Sequence, residues 1–227
     1  MKPILQFLVE QLMLFSLRRT FARVEWVTPP PELPSDRPVV LYANHHTFYD
    51  GYLLWLIAAH WQKRTPLIWM AEWDRMPIFT MVGAQPFPTD DAQRRAATLR
   101  RTIRTFRADP QAALGYFPEG RLHPAEEGID AFDPTFMQTL DRLFPDKLWW
   151  PIGIHLTWRT EAHPVARVGG GPLHAQADGT EVERLRQVWT AVRSADPVSP
   201  VRLIDGATGA NERWNFAALR SVFARYL

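Results

Sequence analysis

The sequence contains no cysteine. Disulfides, thiol nucleophiles and thiolate zinc sites are therefore excluded, although the compartment is left open. A dominant charge is missing too: 26 Lys and Arg against 24 Asp and Glu leave a formal net charge of +2. Nothing in that balance calls for nucleic acid as a partner. There is no internal repeat and no low-complexity tract, which argues against a solenoid or a disordered tail. A bilayer-spanning run is also absent. The most apolar stretch, Ile4 to Leu17, is short and carries Glu10 near its middle. No small-residue cleavage site follows it, so a signal peptide is not expected.

What is present fits one folded domain. The chain has 227 residues, 46% hydrophobic and 22% charged, which suffices for a substantial core. Ten tryptophans and thirteen phenylalanines are many for this length. They suit a rich core, or work beside apolar ligands or a membrane interface. Residues 1–27 are expected to form an N-terminal apolar, membrane-associating helix, with Arg18, Arg19 and Arg23 able to reach lipid phosphates. Packing of that helix on its own domain is the competing reading. The proline-rich passage TPPPELPSDRP, residues 28–38, reads as a linker to the domain at 39–227.

Within that domain PVVLYAN, PLIWMA, AQPFP, AALGYFP and LWWPIGIHLTW are short, bounded by turn residues and read as buried strands. Helical patterns cover about 50–62, 91–107, 134–143, 180–193 and 211–226. The alternation predicts a single α/β domain with a central, mostly parallel mixed sheet flanked by helices.

The first of these strands runs into NHHTFYDGYLL, residues 44–54. Loops after strand C-termini are the usual place for sites in α/β sheets. His45 and Asp50 lie five residues apart, about 140° around a continuous helix. They can meet only if the chain turns between them, with Asp50 capping or opening the helix. An imidazole held by a carboxylate is a general base. No serine or cysteine accompanies it, so the base would act on a hydroxyl brought by a substrate. The two histidines and Asp50 could also ligate a metal, but no third ligand type is evident and none is expected. A second motif, YFPEGRLHP at residues 116–124, turns at Pro118, Glu119 and Gly120. That turn would lift Glu119 and Arg121 to the same sheet end, where a guanidinium suits a phosphate or carboxylate.

NH-x4-D followed about seventy residues later by FPEG resembles the glycerophosphate and lysophospholipid acyltransferases, the PlsC-like family. The resemblance implies that His45 is the general base, since only it leaves four residues before Asp50, and that Asp50 supports it. It implies acceptor-binding roles for Asn44, Glu119 and Gly120, to which the residue reading adds Arg121. It implies no cofactor, a thioester of coenzyme A or acyl carrier protein as donor, and a lipid hydroxyl as acceptor, by default a lysophospholipid or 1-acylglycerol 3-phosphate. The expected place is the cytoplasmic face of a membrane, peripherally or interfacially held. EWDRMPIFTMVGAQPFPTDD and WWPIGIHLTW are similar to the family's second and fourth blocks.

The chain also departs from that pattern. Arg121 follows Gly120 directly rather than after one residue, Pro88, Thr89 and Asp90 stand where Ile-Asp-Arg is usual, and the downstream lysine–glycine element is missing. A non-catalytic, lipid-binding protein of the same fold is the alternative these changes motivate. A hydrolase using the same base on water is a third. Finally, RRAATLRRTIRTFR, residues 94–107, carries six arginines and no acid. Ala96, Leu99, Ile103 and Phe106 share one helical face, and Arg100, Arg104 and Arg107 line another. Such a stripe suits anionic lipid, coenzyme A phosphates or an acidic carrier protein, or is simply a solvated face.

Overall fold

Val39–Ala43 (β2) is apolar and buried along its whole length, as a strand with helices on both faces must be. It sits inside a computed structural model that describes residues 2–30, 32–195, 199–207, 217 and 224. Parallel partners flank it on both sides: Ala112–Tyr116 (β5) and Leu148–Thr157 (β6). With Arg23–Trp26 (β1), Thr65–Met70 (β3), Ala84–Pro86 (β4), Val165–Gly170 (β7) and Val201–Asp205 (β8), they form one mixed sheet ordered β4-β3-β5-β2-β6-β7-β1-β8. Only β6–β7 and β1–β8 pair antiparallel. The α/β fold with a mostly parallel sheet is thus as expected.

The helices are Lys2–Thr20 (α1), Asp50–Trp55 (α2, continued by a π-helical turn at Leu56–Trp61), Ala92–Ala108 (α3), Pro134–Leu143 (α4) and Glu181–Ser194 (α5). Side-chain alternation along β2 splits them between two cores. Val39, Leu41 and Ala43 join Val9, Met13, Leu14 and Leu17 of α1 and Leu53, Leu54 and Trp55 of α2. Val40 and Tyr42 point the other way, into a cluster with Phe106, Leu99 and Ile103 of α3 and Met137 and Leu140 of α4. Gly153 lets α5 lie directly on β6, because a Cβ there would stand 2.9 Å from the Trp189 Cα.

Three elements differ from the sequence expectation. The helix expected over 1–27 stops at Thr20, and Arg23–Trp26 forms β1 between β7 and β8. Four residues are too few for a period to show. The proline-rich passage therefore joins two strands, and buried Arg64 ties it down by donating to the carbonyls of Arg37 and Pro34. Strands β7 and β8 had no apolar run to announce them, since VARVGG and VRLID are broken by glycine or charge. The helix expected over 211–226 falls, apart from single positions, outside the described residues.

Candidate active site

Where β2 ends, Asn44 is buried and bridges to β6. Its Oδ1 accepts from the Ile154 N–H at 2.8 Å and its Nδ2 donates to the Ile154 carbonyl at 2.9 Å. This imitates one more rung of the ladder and launches the loop that follows. Asn44 also contacts His46 Nδ1 at 3.0 Å. Asn44 has no exposure, and both ends of its amide are engaged. It anchors the loop.

Asp50 closes that loop from the first turn of α2. Its Oδ2 accepts from the N–H groups of His46 and Thr47 at 2.7 and 2.8 Å, and its Oδ1 from the Thr47 hydroxyl at 2.7 Å. The same Oδ2 lies 3.2 Å from His45 Nδ1. The chain does turn between the two residues, as their meeting requires. With Nδ1–H directed at Asp50, Nε2 is the nitrogen of His45 left for a substrate proton. The imidazole stacks on Phe117, centroids 4.1 Å apart and planes 15° from parallel. His46 points away: its Nε2–H donates to the Gly128 carbonyl at 2.8 Å, and burial lowers its pKa.

The second motif grips the backbone of the first. Glu119 Oε1 accepts from the His45 N–H at 2.8 Å, and the His123 N–H donates to the His45 carbonyl at 3.2 Å. Glu119 Oε2 accepts from His123 Nε2–H and from the Asp130 N–H, both at 2.7 Å. The Glu119 side chain has no solvent exposure, and both its oxygens are engaged by protein donors, one of them the His45 N–H. Gly120, at φ +69°, makes the left-handed turn that allows this and lines the cavity. Arg121 stands on the cavity rim, but Glu127 and Asp130 already hold its guanidinium at 2.9 and 2.7 Å. Arg75 pairs with Glu72 on the surface.

His45 and Phe117 open into a cavity of 860 Å³. Its walls reach both faces of the sheet end: Met13 of α1 and Gly51, Tyr52 and Trp55 of α2 on one, Leu99 and Arg95 of α3 and Phe136 of α4 on the other. Trp69 and Phe87 stack in the wall with centroids 4.3 Å apart. Polar groups are few beside this lining: His45, Arg95, Thr89, Glu72, Asp133 and Arg121. The shape and chemistry suit a long apolar chain with a polar end near His45. Exposed Phe48 and Leu122 also line it, so apolar surface continues from the cavity to the outside.

His46, Glu119 and His123 each offer a ligand atom within 4.8 Å of the others. Both Glu119 oxygens already accept from protein donors, so the cluster is built as a hydrogen-bond network. Phe117 and Gly51 are site residues that motif reading did not single out for a role. Only their adjacency to Glu119 and Asp50 pointed towards them.

A family model described as Acyltransferase matches residues 26–142, over half of the chain and a stretch that contains His45, Asp50 and Glu119. The chain belongs to the Acyltransferase family. It is an acyltransferase of the PlsC-like type, as the two motifs suggested. Among solved structures, its fold is similar to that of the 1-acyl-sn-glycerophosphate (LPA) acyltransferase PlsC from Thermotoga maritima. The TM-score is 0.51 at 16% sequence identity, over 85% of this chain and 78% of that one. No curated protein sequence is similar to this one.

Proposed function

We propose that this acyltransferase moves a fatty acyl group from a thioester to a hydroxyl of a lipid acceptor at a membrane surface. The observation that carries the reading is the His45–Asp50 pair at the wall of a long apolar cavity. His45 Nε2 takes the acceptor proton, and the freed oxygen attacks the thioester carbonyl. A C–O bond forms, the C–S bond breaks, and the imidazolium returns its proton to the leaving thiolate. Asp50 keeps the Nδ1–H tautomer and stabilises the imidazolium. Glu119 and His123, which hold the His45 backbone on both sides, are positioning residues.

The donor is an acyl thioester of coenzyme A or of acyl carrier protein. Lysophosphatidate is the acceptor that the PlsC neighbour's name suggests. No helix among the described residues is long and apolar enough to cross a membrane. Ile4, Phe7, Leu8, Leu12 and Phe15 of α1 are nonetheless exposed while Val9, Met13, Leu14 and Leu17 are buried. The helix therefore packs on its own domain through one face and offers a second apolar face for the interface, on the cytoplasmic side in this reading.

Incubating wild type and His45→Ala with acyl-coenzyme A, pooled bacterial lipids and a thiol reagent tests the reaction. Because the chain has no cysteine, every thiol detected comes from the donor. Acceptor-dependent release by wild type alone, with a new acylated lipid in the mass spectrum, is expected. Release without a new lipid would identify a thioester hydrolase instead.

A further inference from the structure

One nitrogen of His123 has no use in the network around His45. The residue is 3% exposed, and its Nε2–H donates to Glu119 Oε2 at 2.7 Å. A neutral ring with its proton there carries a lone pair on Nδ1. That atom is buried and has no hydrogen-bond partner among the described residues. What it faces is another acceptor: Glu127 Oε2 stands 3.7 Å away. A buried acceptor aimed at a carboxylate, with neither proton nor cation between them, is costly. Asp130 completes the group, and ligand atoms of His123, Glu127 and Asp130 all lie within 4.8 Å of one another.

Three features suit this group to a metal ion. The first is spacing. Ligand atoms about 2.1 Å from a zinc ion, at tetrahedral angles, stand about 3.4 Å apart, close to the 3.7 Å between His123 and Glu127. Second, the ring is held as a metal-ligating histidine is held, by donating its other N–H to a carboxylate, here that of Glu119. Third, the two outer carboxylates already share a cation. Arg121 Nη2 touches Glu127 Oε2 at 2.9 Å and Asp130 Oδ2 at 2.7 Å. Its side chain is exposed and can swing aside, and it leaves Nδ1 without a donor. One imidazole nitrogen with two carboxylate oxygens is a donor set for zinc rather than for calcium or magnesium, which take oxygen ligands.

We infer that His123 Nδ1, Glu127 and Asp130 bind one divalent transition-metal ion, best fitted by zinc, with water as the fourth ligand. The ion takes over the charge that Arg121 supplies and releases that guanidinium at the rim of the cavity. Its role is that of a clamp. It pins Glu127 and Asp130 to the residue whose ring N–H reaches Glu119 and whose backbone N–H reaches the His45 carbonyl. No step of acyl transfer runs through the ion, so the site stands apart from the proposed reaction.

The test titrates zinc into the full chain after chelator treatment and desalting, by calorimetry and by competition with a chromophoric chelator. Wild type is compared with Glu127→Ala, with Glu127→Ala plus Asp130→Asn, and with Arg121→Ala, all at exposed or half-buried side chains. We expect one ion per chain at micromolar affinity or tighter, weakened about 100-fold by Glu127→Ala and lost in the double variant. Arg121→Ala, which removes the competing cation, should bind more tightly. Zinc should raise the unfolding temperature of wild type and leave that of the double variant unchanged, a readout that metal caught by an unfolded chain would not give. No binding by wild type overturns the site and assigns Nδ1 a proton shared with Glu127. Equal binding by the double variant, or weaker binding by Arg121→Ala, places the ion elsewhere and overturns it as well. Binding is read without turnover, so this site and the proposed reaction fail separately.

Discussion

Glu119 holds His45 by its backbone: Oε1 of the carboxylate accepts the His45 N–H at 2.8 Å, across 74 residues of chain. The acidic residue of the second motif thus fixes where the first motif's imidazole stands. Its other oxygen is spent on His123 and Asp130, which ties the whole FPEGRLH turn to the loop after β2.

Replacing Glu119 by Gln is the direct probe of that relationship. A carboxamide has one accepting oxygen, so its NH₂ must face either the His45 N–H or the Asp130 N–H. A buried donor left unpaired costs about 1–3 kcal/mol. We expect kcat to fall about 10²-fold through a misplaced base, with KM for the donor near wild type. Unchanged kcat in a folded but less stable variant would assign Glu119 to stability alone.

Gly51 offers a way to fill the cavity without touching the chemistry. It lines the wall one residue after Asp50, and a Cβ there meets nothing within 4 Å. It also lies in the first turn of a helix, so Gly51→Leu should leave stability equal or improved. The leucine would take up space needed by a long chain. Rates with long-chain donors should drop about ten-fold relative to short-chain ones, in line with the loss of apolar contact. An equal effect at all chain lengths would show that the chain lies elsewhere.

The outer face of α1 makes a separable claim. Phe7, Leu8 and Phe15 are 58%, 56% and 59% exposed, so changing all three to Gln removes little packing. Burying about half of each in a lipid interface is worth about 3 kcal/mol in total, or roughly 100-fold in partition. Sedimentation with liposomes should fall accordingly while thermal unfolding stays put. Unaltered sedimentation would remove α1 from the interface.

Stability should depend on pH through half-buried histidines. His46, His155 and His174 all have pKa values lowered by burial from an ordinary 6.5. Each is therefore more readily protonated in the unfolded chain. Their contribution is intact above about pH 6.5 and is lost as pH falls below that value towards the lowered ones. Urea midpoints should drop between about pH 7 and pH 5, with proton uptake on unfolding. His155→Phe should flatten that slope; a midpoint independent of pH over this range would contradict the account.

Much of this protein could be read from its sequence, and for a physical reason. β2, β3, β5 and β6 are apolar runs because a parallel sheet covered on both faces leaves them no polar side. The six residues from His45 to Asp50 are a local matter, settled by a loop that a capping carboxylate must close. What tertiary structure alone decided concerns groups distant along the chain. Asn44 and Glu119 were expected at the acceptor. Packing of β6 and of the FPEG turn against the loop buried both side chains and engaged both polar ends of each with protein partners, something no spacing reveals. Strand β1 exists only because β7 and β8 flank it. Arg121 was free in sequence and is held by Glu127 and Asp130 in the fold. The arginine stripe of α3 was visible as composition, but the side of the sheet it occupies follows from the alternation of β2 between two cores.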